Sequence, residues 1–139
     1  MSTEILPKTK TIIKHLSWEN FDVAVKELVK QIGNEEFSEI FPIPRGGIVL
    51  AGCLSYKLNS SILSQGYLRE FTDTSKILFI DDTVDSGQTL DYYKSWFRKA
   101  KFATIFYNKQ SIVKPDFWVW EQKPEEWIVF PWENTISIN

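Results

Sequence analysis

The chain has 139 residues, of which 43% are hydrophobic and 24% charged, and its formal net charge at pH 7 is -2. This length favours one folded domain with a real core, and the composition excludes a disordered or strongly charged chain. Because nucleic-acid binding needs clustered Lys and Arg, we expect no nucleic-acid partner. Residues 1–139 are therefore predicted to form a single globular domain.

Cysteine content and hydropathy indicate the cellular compartment. The lone cysteine, Cys53, cannot form an internal disulfide, which suits a reducing cytoplasm. No apolar run approaches the roughly 20 residues that a membrane-spanning helix needs, and MSTEILPKTK lacks the apolar core of a signal peptide. We therefore expect a cytoplasmic protein with no membrane partner.

The first half of the chain predicts a strand, a helix, a strand and a second helix. Residues 11–16 (TIIKHL) predict a strand, and the segment that follows predicts a helix capped by Ser17. Its helically spaced apolar residues are Phe21, Ala24, Val25, Leu28 and Ile32. EIFPIPRGG predicts a strand that ends in a Pro and Gly turn, and GIVLAGCLSYKL predicts the next helix.

The second half continues this alternation and then departs from it. SSILSQGYLREF predicts a strand or hairpin, KILFI a buried strand, QTLDYYKSWFRKA a helix and FATIFY another strand. Strands that alternate with helices predict an α/β fold with a mostly parallel sheet flanked by helices. Residues 111–139 are rich in Trp and Pro, and we expect them to cap one edge of the sheet.

Residues 77–90, ILFIDDTVDSGQTL, carry the strongest functional signal. Asp81 and Asp82 follow an apolar strand directly, and Asp85 comes shortly after them. Two unit charges about 4 Å apart repel by roughly 4 kcal/mol at an effective dielectric of 20, so the functional state should offset that repulsion. Ligands of an open parallel sheet bind beyond the carboxyl ends of its strands, which predicts that these acids face a cleft.

The residues after the acid pair are suited to phosphate binding. DSGQT combines a glycine with two hydroxyl groups immediately before a predicted helix, so backbone amides and the helix N-terminus can surround an anion. Carboxylates accept hydrogen bonds from hydroxyl groups. A ligand that carries both a diol and a phosphate, as ribose 5-phosphate does, satisfies both features.

This stretch resembles the phosphoribosyl pyrophosphate (PRPP) motif of type I phosphoribosyltransferases, which combines a hydrophobic strand, two acids and a small-residue phosphate loop. FPIPRGGIVLAG resembles the earlier family loop that receives the pyrophosphate. LSWENF and EEWIVFPWE further resemble the bacterial xanthine-guanine (6-oxopurine) branch. The resemblance implies a type I core with a small hood formed by about residues 1–16 and 111–139.

The resemblance also implies a role for each residue of the acidic stretch. Asp81 and Asp82 would hold the ribose hydroxyls, with Asp82 the contact for Mg²⁺. Asp85 would act as general acid or base at an imidazole nitrogen of the purine. The 5-phosphate loop would consist of Asp85, Ser86, Gly87, Gln88 and Thr89.

Two further groups of residues would complete the site. The pyrophosphate would be framed by Pro44, Arg45, Gly46 and Gly47, in a loop where the family often has a non-trans peptide bond. The purine would contact Trp127, the backbone of Ile128, and Lys109 at its six-position oxygen. Lys109 lies one residue from the family position in an ungapped alignment. The long family lid is short here, and Arg69 is a candidate remnant that reaches the pyrophosphate.

These features together predict an enzyme that transfers the 5-phosphoribosyl group from PRPP to xanthine, guanine or hypoxanthine with release of pyrophosphate. We also expect a homo-oligomer, either a dimer or a tetramer. The short lid favours an alternative function, a non-catalytic module that binds PRPP or a nucleotide and regulates a partner.

Each signal also has a purely structural interpretation. Asp85 or Ser86 could cap the helix that begins near Gln88, and the PRGG segment could be an ordinary tight turn. The tryptophans could be core residues, and Lys109 and Arg69 could be solvated surface side chains.

Overall fold

The structure, a computed structural model, describes residues 9–70 and 73–133, with the side chains of Arg69 and Glu70 left out. Its strands are β1 (Ile12–His15), β2 (Glu39–Pro42), β3 (Ser61–Ile62), β4 (Ile77–Ile80), β5 (Thr83–Val84), β6 (Lys101–Ala103), β7 (Phe106–Tyr107), β8 (Trp120–Glu121) and β9 (Glu126–Val129). Its α-helices are α1 (Trp18–Ile32), α2 (Ile48–Leu58) and α3 (Gln88–Trp96). Short 3-10 helices cover Gln65–Glu70 and Thr74–Lys76.

The strands form three parallel sheets. A four-stranded sheet has the order β3-β2-β4-β6, a three-stranded sheet has the order β5-β7-β8, and β1 pairs with β9. Strand β4 lies in the middle of the largest sheet and is buried along its whole length, which explains its continuous apolar sequence. The predicted α/β class with a parallel sheet is confirmed.

Helix α1 packs against the core through the apolar face that its sequence predicts. The Ser17 hydroxyl accepts a hydrogen bond from the amide of Asn20 at 3.0 Å and caps the helix. The buried residues of α1 are the five predicted ones, Phe21, Ala24, Val25, Leu28 and Ile32. Burying an apolar side chain of this size fully contributes about 1.5–3 kcal/mol, so this face fixes α1 against the core.

Three predicted elements differ in extent from the observed ones. The predicted strand or hairpin after Asn59 is only the short β3, followed by 3-10 turns. Helix α3 ends at Trp96 because Phe97 leaves the helical region (φ −128°, ψ 70°) and packs its ring 5.5 Å from Phe79. The predicted strand FATIFY divides into β6 and β7, since the Ile105 amide turns away to bond the Asp82 carbonyl at 3.0 Å.

The two ends of the described chain meet in the β1–β9 pair, which aligns Ile13 with Trp127. Trp132 stacks on Phe130 with centroids 4.9 Å apart and lies 5.2 Å from Phe21 of α1. These contacts attach both terminal segments to the core. Residues 1–8 and 134–139 of the predicted hood lie outside the described residues. Within the described chain, no helix has both the length and the apolar character to span a bilayer.

Candidate active site

The acid pair lies at the carboxyl end of β4, as predicted. The amide of Asp82 donates to Asp81 Oδ1 at 2.8 Å, and the amide of Thr83 donates to Asp82 Oδ1 at 2.7 Å. Burial and the neighbouring Asp82 charge raise the pKa of Asp81 to about 9. In the free protein the protonated form of Asp81 is therefore favoured, because burial and the Asp82 charge both oppose its ionisation.

The loop between β2 and α2 lies directly against the acid pair. A Cβ added to Gly46 would lie 2.5 Å from Asp82 Oδ2, and one added to Gly47 would overlap the carbonyl oxygen of Ile80. Position 47 therefore requires glycine, because the clash there is with backbone, and a larger residue at position 46 would displace the Asp82 carboxylate. The peptide bond between Pro44 and Arg45 is cis, as the family resemblance implies, and Arg45 is exposed. The close approach of Gly46 to Asp82 therefore puts the glycine loop and the acidic stretch next to each other.

A pocket of about 150 Å³ opens beside the acid pair at the start of α3. It is lined by Asp81, Thr83, Val84, Asp85, Ser86, Gly87, Thr89 and Leu90. The first amides of an α-helix have no acceptor within the helix, and the helix dipole makes this end positive. The pocket is smaller than the roughly 300–1,000 Å³ of sites for drug-sized ligands, and its size and amides suit a phosphate group.

Gly87 shapes this pocket through its backbone. Its φ of 89° lies in the left-handed region, and a Cβ there would overlap the Ser111 hydroxyl. Gly87 is also the N-cap residue of α3, and the Ser86 hydroxyl accepts only a long hydrogen bond of 3.3 Å from the Gln88 amide. The structure thus brings together the predicted loop residues 85–89, with glycine at the position where a side chain would close the loop.

Asp85 makes its contacts away from the helix. Its Oδ1 accepts a hydrogen bond from Asn108 Nδ2 at 2.8 Å, and its Oδ2 lies 2.7 Å from Lys10 Nζ. Asn108 directly follows β7, and Lys10 lies in the segment before β1. The interpretation of Asp85 as a simple helix cap is therefore wrong, and its carboxylate is oriented by two donors from distant parts of the chain.

The sequence analysis identified neither of the two partners of Asp85, Asn108 and Lys10. Asn108 is buried, its amide donates to the Val84 carbonyl at 2.8 Å, and its Oδ1 accepts from the Gln110 amide at 3.0 Å. Asn108 is the chain neighbour of Lys109, which lies one residue from the family position, so this region carried a signal. Lys10 carried none, since nothing in its local sequence indicates burial.

The residues predicted to contact a purine differ in how far they are buried. Lys109 is exposed, with Nζ 4.0 Å from Glu121 and 5.9 Å from the Trp118 ring centroid, and the buried lysine beside Asp85 is Lys10. Trp127 is half-buried, and its indole N–H is buried with no hydrogen-bond partner among residues 9–70 and 73–133.

Three further placements complete the comparison with the sequence. Ile128 is buried in β9. Arg69 belongs to a 3-10 helix, and its side chain lies outside what the structure describes. The roles of Lys109, Trp127, Ile128 and Arg69 stay predictions.

The donor chemistry of the acid pair fits a hard divalent cation. Magnesium prefers oxygen ligands and is usually held by one or two carboxylates together with substrate phosphates. The described part of the chain contains no group of three or more His, Cys, Asp or Glu side chains arranged around one metal position. Asp81 and Asp82 supply the carboxylate oxygens that a substrate-bridged magnesium site needs.

Known proteins share this architecture. No protein-family model matches the chain. The chain is 27% identical over 137 residues to the xanthine-guanine phosphoribosyltransferase of Idiomarina loihiensis, covering 85% of each. A purine phosphoribosyltransferase from Pyrococcus horikoshii shares the fold with a TM-score of 0.78 and 24% identity, over 93% of this chain and 99% of the other. The Helicobacter pylori xanthine-guanine-hypoxanthine phosphoribosyltransferase superposes with a TM-score of 0.73 and 26% identity, over 88% and 93%.

The parallel α/β core, the acid pair after β4 and the glycine loop packed against it are the features of one class of enzyme. The chain is similar over most of its length to type I phosphoribosyltransferases. Its relatives at 24–27% identity are xanthine-guanine phosphoribosyltransferases, so within that class its similarity is to the bacterial xanthine-guanine branch.

Proposed function

We propose that this enzyme transfers the 5-phosphoribosyl group from PRPP to a 6-oxopurine and releases pyrophosphate. The observation that carries the proposal is the contact between Gly46 and Asp82 beside the pocket at the start of α3. Because of this contact, a phosphate-sized pocket, a pair of carboxylates and a glycine loop lie next to one another. PRPP carries a phosphate, a diol and a pyrophosphate in the same order.

The phosphoribosyl part of the donor is proposed to bind at the acidic stretch. The 5-phosphate enters the pocket, where it meets the hydroxyls of Ser86 and Thr89 and the amides of Gly87 and Gln88. The ribose hydroxyls donate to Asp81 and Asp82. Hydrogen bonds with one charged partner are roughly twice as strong as neutral ones, so these contacts fix the sugar firmly.

The pyrophosphate part is proposed to bind at the loop after β2. Arg45 is the exposed cation of this loop, and Pro44, Gly46 and Gly47 give it the shape that lies against Asp82. Asp82, together with the donor's oxygens, is proposed to hold Mg²⁺. With Mg²⁺ held there, both Asp81 and Asp82 could ionise, and the ion would supply positive charge to offset that of the departing pyrophosphate.

The chemistry follows from positioning the two substrates. Nitrogen N9 of the purine bonds to C1′ of the ribose as the bond from C1′ to the pyrophosphate oxygen breaks, and C1′ passes through an oxocarbenium-like state. The proton on N7 passes to Asp85, whose other oxygen is held by Asn108. Holding both reactants in line and removing this proton are the protein's main contributions.

The purine is proposed to bind between Asp85 and β9. Trp127 packs against the ring and the backbone of Trp127 and Ile128 reads its edge. The buried indole N–H of Trp127 has no partner within the described chain, which supports a ligand acceptor in this region. We propose a smaller part for Lys109, because its ammonium group lies toward Glu121.

The test is a panel of xanthine, guanine, hypoxanthine and adenine, each mixed with PRPP and Mg²⁺ while nucleotide and pyrophosphate are measured. Formation of both products in equal amounts is the expected result, and chelation of the metal should abolish it. Tight PRPP binding without product would favour the alternative, a non-catalytic regulatory module. The short segment from β3 to β4, where Arg69 is the proposed pyrophosphate contact, is the feature that keeps this alternative worth testing.

We further propose that residues 1–139 act as one domain with a terminal hood and assemble as a dimer or tetramer in the cytoplasm. The pairing of β1 with β9 supports the hood. Light scattering coupled to gel filtration tests the assembly, and a monomeric mass at working concentration would contradict it.

A further inference from the structure

Gln122 is a buried amide whose two ends make different hydrogen bonds. The residue is 2% exposed. Its Nε2 donates to the carbonyl oxygen of Glu126 at 3.0 Å, and its Oε1 accepts from the hydroxyl group of Thr83. A backbone carbonyl can only accept, so the NH₂ group has to face Glu126 and the oxygen has to face Thr83. The direction of both hydrogen bonds is therefore fixed.

The hydroxyl proton of Thr83 is used in this contact. A threonine hydroxyl has one proton to donate and two lone pairs that accept. Because Gln122 Oε1 takes the proton, Thr83 Oγ1 keeps only acceptor capacity. Thr83 lines the pocket at the start of α3 together with Asp81. This residue therefore offers a ligand two lone pairs and no proton.

The backbone of Thr83 is held independently of the Gln122 side chain. Strand β5 pairs with β7 so that Thr83 lies opposite Phe106. The carbonyl of Asp82 accepts from the amides of Ile105 and Phe106 at 3.0 and 3.2 Å. Strand β5 is thus placed by main-chain contacts, and what the side-chain contact determines is the orientation of the Thr83 hydroxyl group.

The chemistry of the ligand decides which of its groups can meet this oxygen. A phosphate monoester carries about 1.5 to 2 negative charges at pH 7, so its oxygens act mainly as acceptors and are repelled by another acceptor. A sugar hydroxyl, in contrast, donates its proton to a threonine oxygen. The amide of Thr83 donates to Asp82 Oδ1 at 2.7 Å, which places Thr83 beside the carboxylates proposed to hold the ribose.

We propose that Thr83 is a further sugar-binding residue, which accepts a hydrogen bond from a ribose hydroxyl, and that Gln122 is the positioning residue that directs the Thr83 proton away from the ligand. This inference rests on the proposed function of the same site. It divides the pocket into an accepting end at Asp81 and Thr83 and a donating end at residues 86–89. The competing explanation is that Thr83 and Gln122 only join β5 to β9, which predicts an equal effect on every ligand.

The decisive variant is Thr83→Val, which keeps the shape of the side chain and removes its oxygen. Dissociation constants of IMP, 2′-deoxy-IMP and 3′-deoxy-IMP are measured by calorimetry for variant and wild type. A neutral hydrogen bond corresponds to about 2- to 10-fold in binding. Loss of one of the two sugar hydroxyls should weaken binding to the wild type by that factor more than binding to Thr83→Val. Unchanged ratios of IMP to both deoxynucleotides would overturn the proposal.

Purine riboside 5′-monophosphate separates the sugar from the base. It lacks the N1 proton of IMP and keeps both ribose hydroxyls. Thr83→Val should therefore weaken the binding of this nucleotide and of IMP by the same factor. A loss confined to IMP would assign the contact to the base and overturn the sugar-binding role.

The matched control is Thr104→Val. Thr104 is fully buried and its hydroxyl donates to the Phe106 carbonyl at 3.0 Å, so this variant removes a threonine hydrogen bond outside the proposed site. It should leave the ratios of IMP to the deoxynucleotides unchanged. A change as large as that in Thr83→Val would show that the ratios report only a loosened core, and would overturn the proposal.

Gln122→Met tests the positioning step. The Thr83 proton is then free to turn toward the ligand, so the hydroxyl can donate as well as accept. The preference for IMP over the deoxynucleotide identified with Thr83→Val should fall below that of the wild type without disappearing. A preference equal to that of the wild type would remove Gln122 from the positioning role.

A crystal structure of the wild type with IMP covers the case in which Thr83→Val does not fold. A ribose hydroxyl should lie about 2.5–3.0 Å from Thr83 Oγ1. A phosphate oxygen or the base at that position would contradict the proposal. An inactive wild type that shows the sugar contact would refute the transferase reaction and keep the role of Thr83. An active wild type without the contact would do the reverse.

Discussion

The acidic stretch and the proposed purine position are built in opposite ways. The acidic stretch is continuous: β4, Asp81, Asp82 and the pocket at the start of α3 follow one another in the chain. The purine side is composite, because Lys10, Asn108 and Trp127 come from three separate segments. Asp85 belongs to the first region and receives its hydrogen bonds from the second. The proposed phosphoribosyl site is thus encoded in one local stretch, whereas the proposed purine site depends on segments that are distant in the chain.

The largest expected effect is that of Asp85→Asn, which acts where the two regions meet. The amide cannot accept the N7 proton, so kcat should fall by about 10²- to 10⁴-fold while PRPP affinity changes little. Single-turnover nucleotide formation, at a temperature where the variant is folded, measures this. Asp91→Asn is the control, since Asp91 lies in the first turn of the same helix and is exposed. A normal rate for Asp85→Asn would remove it from proton transfer.

Gly46→Ala tests whether the glycine loop and the acid pair form one unit. The added methyl would lie 2.5 Å from Asp82 Oδ2 and force that carboxylate to move. A displacement of about 1 Å at a catalytic group costs on the order of 100-fold, so kcat/KM for PRPP should fall by that amount.

Gly52→Ala provides the matched control for this variant. It places the same methyl in α2, where no atom lies within 4 Å of it apart from its chain neighbours and the nearby backbone of its own helix, and it should keep full activity and raise stability by up to about 1 kcal/mol. Equal activities of the two variants would show that the loop does not position Asp82.

The predictions from sequence succeeded for elements with local signals and failed where distant residues decide the structure. Elements with local signals were predicted well: Ser17 caps α1, the apolar spacing gives its buried face, and KILFI is the central strand. The loop before α3 was located correctly because a glycine and two hydroxyl groups before a helix form a local pattern, and its role in phosphate binding stays a prediction. The parallel class followed from the alternation of helices with strands.

The errors arise where distant residues decide. The division of FATIFY depends on hydrogen bonding of Ile105 to Asp82, which no local pattern encodes. The early end of α3 depends on packing between Phe97 and Phe79. Lys10 was missed because lysines are usually solvated, and its burial depends on contacts with the distant Asp85 and Pro124.

Arg45→Ala should separate the two halves of the donor. Arg45 is proposed to contact only the pyrophosphate, and charge-assisted hydrogen bonds of this kind correspond to about 10- to 100-fold in affinity. PRPP and pyrophosphate should therefore bind more weakly by that factor, while IMP, which lacks the pyrophosphate, binds normally. Calorimetry with the three ligands measures it. Equal losses for PRPP and IMP would exclude Arg45 from the pyrophosphate position.

A last expected effect concerns the stability of the acid pair in the absence of ligand. Burial and the charge of Asp82 raise the pKa of Asp81 to about 9, above its ordinary value of 3.8. Between these two pH values the folded protein binds more protons than the unfolded chain, so the free energy of unfolding falls as pH rises, by less than about 1.4 kcal/mol per pH unit. The stability that protonated Asp81 contributes is fully present below pH 3.8 and is lost above about pH 9.

Asp81→Asn isolates this contribution because it cannot titrate and leaves every other group in place. Urea unfolding of the metal-free wild type and variant between about pH 6 and 8 should show a smaller decline for the variant. Addition of Mg²⁺ with PRPP should flatten the wild-type curve, since the cation favours the ionised carboxylates that the proton otherwise neutralises. Parallel curves for the two proteins would mean that Asp81 is already ionised without a ligand, and the acid pair would then need no cation to form the donor site.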